Sequence, residues 1–165
     1  MKKILVVLVA AMMVMAFTAC AQQAAPEASA GMANPWTTAA DAGEVKEKTG
    51  VAMSPLPEGA ENASYSFMES DKIAQAVFTW KGDEYTYRQA PGTPEGDISG
   101  MFVDFKNTEE LKMGDYPYTI RYNEGAEGAS RWHDQMTDSE YSVTMSSGAT
   151  KEKLSAISEA LIPAD

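Results

Sequence analysis

The stretch "IAQAVFTWKGDEYTYRQ", Ile73 to Gln89, places Phe78 and Trp80 at alternating positions before a Gly-Asp dipeptide and Tyr85 and Tyr87 at alternating positions after it. A period of two is the period of a β-strand, and Gly-Asp between two such runs is turn chemistry. A turn at Gly82 and Asp83 predicts a hairpin in which Trp80 faces Tyr85 and Phe78 faces Tyr87, all four on one face. Lys81 then stands opposite Glu84 as an opposite-charge pair. A slip of one residue would turn Phe78 and Trp80 to the other face.

The same dipeptide recurs in "EELKMGDYPYTIRY", Glu109 to Tyr122. Turning at Gly114 and Asp115 pairs Met113 with Tyr116 and Leu111 with Tyr118. Pro117 has no amide donor, which places it at an edge or at a non-bonded position near the turn. Thirteen of the fifteen aromatic residues lie between Tyr65 and Tyr141, marking that region as strand-rich. Strands are expected at 63–68, 73–80, 85–90, 102–107, 109–113, 117–122, 130–136 and 141–146. Short turns between neighbours predict an antiparallel meander.

Helical signals stand at both ends of this region. In "NPWTTAADAGEVKEKTG", Thr38 and Asp41 have the spacing of a capping box, and Gly50 offers a stop. In "TKEKLSAISEALIP", Thr150 is an N-cap, Leu154, Ile157 and Leu161 make one apolar face, and Pro163 blocks extension. The expected fold class is therefore α+β: a curved antiparallel sheet of about six to eight strands, flanked by an N-terminal and a C-terminal helix. The two helices would cover one face of it. "QAPGTPEGDISG", Gln89 to Gly100, is the least regular internal stretch and reads as a loop.

The N-terminus has another character. Lys2 and Lys3 precede an uncharged apolar run from Ile4 to Phe17, and Thr18, Ala19 and Cys20 follow. A charged start, a short apolar run and small residues at its exit describe a secretory signal. The run is shorter than the ~20 residues needed to cross a bilayer core. "FTAC", Phe17 to Cys20, resembles the lipobox of bacterial lipoproteins, with Phe17 where leucine is usual. The resemblance implies lipidation of Cys20, which would become the new N-terminus and anchor the protein to the outer face of the cell membrane. Residues 1–19 then form a signal peptide, 20–34 a flexible tether rich in alanine and glutamine, and 35–163 a single α+β domain. Cys20 is the only cysteine, so its acylation leaves no disulfide within the chain.

Losing residues 1–19, with Lys2 and Lys3, leaves 146 residues and moves the formal charge from −11 to −13. A chain of this length can bury roughly two-thirds of its unfolded surface. So acidic a balance argues against nucleic acid as a partner and against lying flat on an anionic membrane. The acids are dispersed, as expected of a solvated surface.

Catalytic and metal signatures are sparse. His133 is the only histidine, and its neighbour Asp134 would face the other side of a strand. No Gly-x-Ser-x-Gly elbow accompanies it, so His133 is expected to be a surface strand residue. One histidine does not seed a zinc site, and no twelve-residue calcium loop is present. Asp97, Asp104 and Asp115 could still converge in space. The methionines of the exported part (Met32, Met53, Met68, Met101, Met113, Met136 and Met145) lack the close spacing of a copper-binding stripe. No catalytic residue, no metal ligand and no cofactor is assigned.

Three pieces, "NPW" at 34–36, "DISGM" at 97–101 and "KEKLSAISEALI" at 151–162, together resemble an exported bacterial domain family. That family occurs as small lipoproteins and as the extracytoplasmic part of anti-sigma proteins. The resemblance spans about residues 34–162 and implies no catalytic residues. The expectation is a membrane-anchored, non-enzymatic module binding a peptide, an envelope component or a small ligand. An envelope sensor or signalling accessory is the alternative implied by the resemblance. A carboxylate-dependent hydrolase is the third reading, because paired acids are spatial rather than sequential.

Overall fold

In the computed structural model of the chain, residues 34–94 and 96–162 are described. The signal peptide, Cys20 and the tether up to residue 33 lie outside them, as does Pro163.

The hairpin at 73–89 forms from β3 (Ile73–Trp80) and β4 (Asp83–Pro91), with Trp80 opposite Asp83, Phe78 opposite Tyr85 and Ala76 opposite Tyr87. Its turn residues are Lys81 and Gly82, not Gly82 and Asp83. Both have positive φ, 51° and 85°, as the favoured two-residue hairpin turn demands. The expected pairs therefore shift by two residues in register, and a shift of two preserves the faces. Phe78, Trp80, Tyr85 and Tyr87 are all buried on one side. The Lys81–Glu84 pair does not form: Glu84 stands opposite Thr79, and the Lys81 ammonium lies 4.0 Å from the Trp80 ring centroid. The second hairpin, β5 (Asn107–Met113) with β6 (Tyr116–Tyr122), has the expected register, with Met113 opposite Tyr116 and Leu111 opposite Tyr118. Pro117 precedes the first β6–β7 pair, so its missing donor costs no ladder bond.

Two further strands in each half complete the sheet. β1 (Thr37–Ala39) and β2 (Glu61–Met68) precede β3, while β7 (Gly128–Asp134) and β8 (Ser139–Met145) follow β6. The order is β1-β2-β3-β4-β8-β7-β6-β5, and every pair is antiparallel. The sheet is thus two four-stranded meanders joined where β4 pairs with β8. β8 is central and buried at all seven positions. After β4 the chain must travel from the centre to the far edge to begin β5. No strand forms at 102–106, because this segment crosses the sheet instead of pairing within it, and β5 begins only at Asn107.

Both helices cover the aromatic face. The first, α1 (Ala42–Thr49), is capped by Asp41, which accepts from Glu44 N at 2.9 Å. Glu44 in turn accepts from Ala40 N at 2.7 Å. The reciprocal cap lies three residues beyond the expected Thr38–Asp41 box, since Thr38 is committed to β1 opposite Ser66. Gly50, with φ 79°, ends α1 as anticipated. The last element, α2 (Lys151–Leu161), is capped by Thr150 and buries Leu154, Ile157 and Leu161. Close approach of α2 to β7 requires Gly128: a Cβ there would sit 2.8 Å from Ala149 Cβ and from Leu154 Cδ1.

Beneath the helices, Tyr87, Tyr141 and Trp132 form a three-ring cluster across β4, β8 and β7, each ring near-parallel to and within 6.4 Å of the other two. Trp132 and Tyr141 have centroids 5.2 Å apart and Tyr87 and Tyr141 6.2 Å apart, with planes within 4° and 11°. Such pairs add about 0.5–1.5 kcal/mol each beyond their burial.

The opposite face carries all three arginines of the chain, Arg88, Arg121 and Arg131. Each holds the crossing segment. Arg88 Nη1 donates to Ile98 O at 2.9 Å, Arg121 pairs with Asp97, and Arg131 Nη2 donates to Gly96 O at 3.4 Å. Ile98 packs against Ile73 and Ala90, with Trp36 and Met68 beside them. Gly100 has φ 68°, and a Cβ there would run into the Arg88 guanidinium. The Trp36 ring lies 4.8 Å from that guanidinium. Two of the three sequence pieces, "NPW" and "DISGM", thus meet around one arginine.

Candidate functional site

The three arginines are all engaged with the crossing segment around residues 96–100, a strap over that face of the sheet. A cavity of about 460 Å³ opens where the chain leaving α1 passes the ends of β4 and β8. Its wall includes Thr49, Ser54, Gln89, Thr137, Ser139 and Tyr141, with Lys72 at its rim. Side-chain hydroxyls and a carboxamide share this wall about equally with the apolar surface of Val51, Ala52 and Pro91.

Each wall residue is held by local chemistry. Thr49 Oγ1 donates to Val45 O at 2.7 Å and accepts from Val51 N at 3.0 Å, fixing the exit from α1. Ser54 N donates to Gln89 Oε1 at 3.0 Å, tying that exit to β4. Gln89 is buried, yet among the described residues its Nε2 has no protein acceptor. Lys72 occupies the β2–β3 turn with φ 53°, and its N–H donates to Glu69 O at 3.3 Å. Among the described residues its ammonium makes no ion pair.

Behind the opposite wall and outside the lining, Asp134 accepts from Met136 N and from the wall residue Thr137 Oγ1, both at 2.8 Å, and so closes the β7–β8 turn. Burial opposes ionisation of Asp134, but these hydrogen bonds outweigh it and hold its pKa below the ordinary carboxylate value. Thr137 Oγ1 also lies 3.3 Å from the Tyr141 hydroxyl. Tyr141 is buried against Tyr87 and Trp132, so little of its ring is open to a ligand. Tyr87 is fully buried, and its hydroxyl lies beside the Ser54 side chain without a hydrogen bond of ordinary geometry. Burial pushes its pKa up, so the hydroxyl keeps its proton.

No aspartate or glutamate lines this cavity. Three other clefts differ: one is walled by Glu58 and Glu61, one by Asp115 and Asp134, and one by Glu110 and Glu140. In a chain with 24 acidic residues, an acid-free wall marks a distinct electrostatic environment.

His133 lies on the strap-bearing face, part-exposed, opposite Glu140. Its Nδ1 is 3.4 Å from Glu140 Oε2 and its Nε2 is 3.6 Å from Asp138 Oδ1. Asp134 points to the other face, as the strand period requires. Glu140 is buried and also held by Arg131. Among the described residues no hydroxyl is hydrogen-bonded to His133, so no nucleophile–base pair is assembled. Asp97 is paired with Arg121, Asp104 accepts from Asn123 through its carbonyl, and Asp115 lies in the β5–β6 turn. They do not converge, and among the described residues no three histidine, cysteine or acidic side chains are grouped to hold a metal ion. Met145 is buried and Met136 exposed, with no methionine stripe. Cys20 lies outside the described residues.

The cavity itself escaped sequence reasoning. One signal was available: Gln89 continues the alternation Tyr85, Tyr87, Gln89 and so places an amide on the buried face.

No protein-family model, no curated protein and no solved structure matches this chain.

Proposed function

We propose that this protein is a non-enzymatic binding module of the cell envelope, anchored through a lipid on Cys20, with residues 20–34 as its tether. The domain at 35–163 holds a peptide, an envelope component or a small ligand in the cavity between the exit of α1 and the ends of β4 and β8. The observation that carries this reading is the acid-free, hydroxyl- and amide-walled cavity in a chain of formal charge −11. Its volume falls within the ~300–1,000 Å³ of small-ligand sites. The state of the cleft carboxylates supports binding over hydrolysis. A general-acid carboxyl needs a raised pKa, whereas Asp134 is shifted down and Glu140 is tied to Arg131.

The test is saturation-transfer NMR of the full chain with fractionated envelope extract, comparing the parent with Ala52→Trp. Ala52 is an exposed wall residue, so the indole adds bulk at the mouth without disturbing the core. Transfer to an extract component that disappears in the variant is expected. Transfer that persists in Ala52→Trp would sink the cavity as the site. Intact-mass analysis of membrane-extracted protein checks the anchor: loss of residues 1–19 and a lipid adduct on Cys20 are expected, and an unmodified thiol would refute it.

A further inference from the structure

We propose that the cavity selects ligands bearing a free carboxylate, with the Lys72 ammonium as its counter-charge and the Gln89 carboxamide N–H as its directional donor. This deepens the binding reading above and rests on it.

Three observations carry the assignment. First, the wall contains one cation and no anion, although acids outnumber Lys and Arg by 24 to 13 in the chain. An anionic ligand meets no like charge in that wall, whereas it would in the three acid-walled clefts. Second, the cation is uncommitted. Lys151 is paired with Glu109, Lys153 with Asp83, and Arg121 and Arg131 with Asp97 and Glu140. Lys72 has no such partner among the described residues. Glu69 and Asp71 share its turn but do not line the cavity, and Asp71 accepts from Ser70 Oγ at 3.2 Å.

Third, the buried donor is oriented in advance. Ser54 N occupies Gln89 Oε1 at 3.0 Å and fixes which end of the amide is oxygen, leaving the Nε2 donors for an acceptor. The hydroxyls of Ser139 and Tyr141 stand in the same wall, but Ser139 Oγ donates to Thr137 O and the Tyr141 hydroxyl to Thr137 Oγ1, whose own proton goes to Asp134. The Gln89 Nε2 and the Lys72 ammonium are therefore the donors left for the carboxylate. A carboxylate accepts at both oxygens, so a cation beside an amide N–H donor matches it better than it matches an ammonium or an apolar group. Tyr141 is buried and leaves little ring surface for stacking, which disfavours a planar aromatic ligand. The cavity volume suits a short peptide that ends in its free carboxylate.

The test uses N-acetyl-Ala-Ala as the acid probe and N-acetyl-Ala-Ala-amide as its neutral match, titrated into isotope-labelled full chain. The acid is expected to shift the Gln89 side-chain amide and the Ala52 and Ser54 backbone amides at least tenfold more strongly, by apparent affinity, than the amide. Lys72→Gln should remove that preference, while Lys81→Gln, outside the cavity, should retain it. Equal affinity for acid and amide at the same resonances would overturn the carboxylate assignment and leave the cavity as a binding site. The preference surviving Lys72→Gln would overturn the role of Lys72. If neither probe moves a cavity resonance in the parent, the carboxylate assignment falls. The extract experiment with Ala52→Trp then decides separately whether the cavity binds anything.

Discussion

The two faces of this sheet are sealed by opposite chemistries. Under the helices lie Phe78, Tyr85, Tyr87, Trp132, Tyr141, Leu154 and Ile157, nearly all without solvent contact. Under the crossing segment lie Arg88, Arg121 and Arg131, joined to it by hydrogen bonds and an ion pair, with Gln75 accepting from Arg88 beneath. Apolar burial is insensitive to pH and intolerant of volume change, while charge-assisted bonding is directional and yields to protonation. A sheet covered in this way on both sides can bury β8 completely without a second helical layer. The difference also explains why the arginines are poor candidates for ligand binding: each already holds the strap in place.

The sharpest break of the comparison is Trp132→Ala. It removes one ring of the three-ring cluster and leaves a cavity in the helix-covered core, at a cost of about 3–5 kcal/mol. Chemical denaturation should show one cooperative transition at a lower midpoint, with the same loss at pH 7 and pH 5. A loss below about 1 kcal/mol would mean that the helix-covered face is not where stability resides.

On the strap side the effect should be smaller and local. Arg88→Met retains the aliphatic stem but removes the donors to Gln75 Oε1 and Ile98 O, at 2.8 and 2.9 Å. The expected loss is about 2 kcal/mol, the scale of hydrogen bonds made by a charged group. Hydrogen exchange should quicken across residues 96–101 before β4 or β8 responds. If exchange quickens uniformly, the strap is not a separable unit and the contrast between the faces fails.

Much of this architecture was legible because it is local. Gly114-Asp115 specified its hairpin register outright, and Thr150 with Leu154, Ile157 and Leu161 specified α2. The hairpin at 73–89 was read with its turn one residue late, because Lys81 adopts the positive φ normally left to glycine or asparagine. The faces survived that error, since the slip was even. β4 pairing with β8 was not legible: it joins residues about fifty apart, and no local pattern names the partner. The missed β1 and the expected strand at 102–107 follow from the same gap. The cavity is less legible still, being assembled from four separate segments with no shared motif. Only the polar interruption at Gln89 pointed towards it.

The smallest effect, and the most diagnostic of the two chemistries, belongs to Asp97→Asn. Burial works against ionisation of Asp97, but bonds from Ser99, through backbone and side chain, and from Arg121 outweigh it and hold its pKa below 3.8. A folded pKa below the unfolded one means that the unfolded chain takes up the proton first as pH falls. The contribution of Asp97 is therefore whole above about pH 4 and is lost as pH drops through its depressed folded value. Asp134, shifted in the same direction, also contributes to acid sensitivity, so the parent profile alone cannot isolate the strap. The difference between parent and Asp97→Asn can. At pH 7 the variant should be less stable by about 1 kcal/mol, discounted for the partial exposure of the Arg121–Asp97 pair. The difference in urea midpoint between the two proteins should narrow as pH falls from about 4 to 2.5. Trp132→Ala should run parallel to the parent over the same range. If the Asp97→Asn difference is unchanged at pH 2.5, the strap is held by packing of Ile98 rather than by its charge, and the two faces differ less than their residues imply.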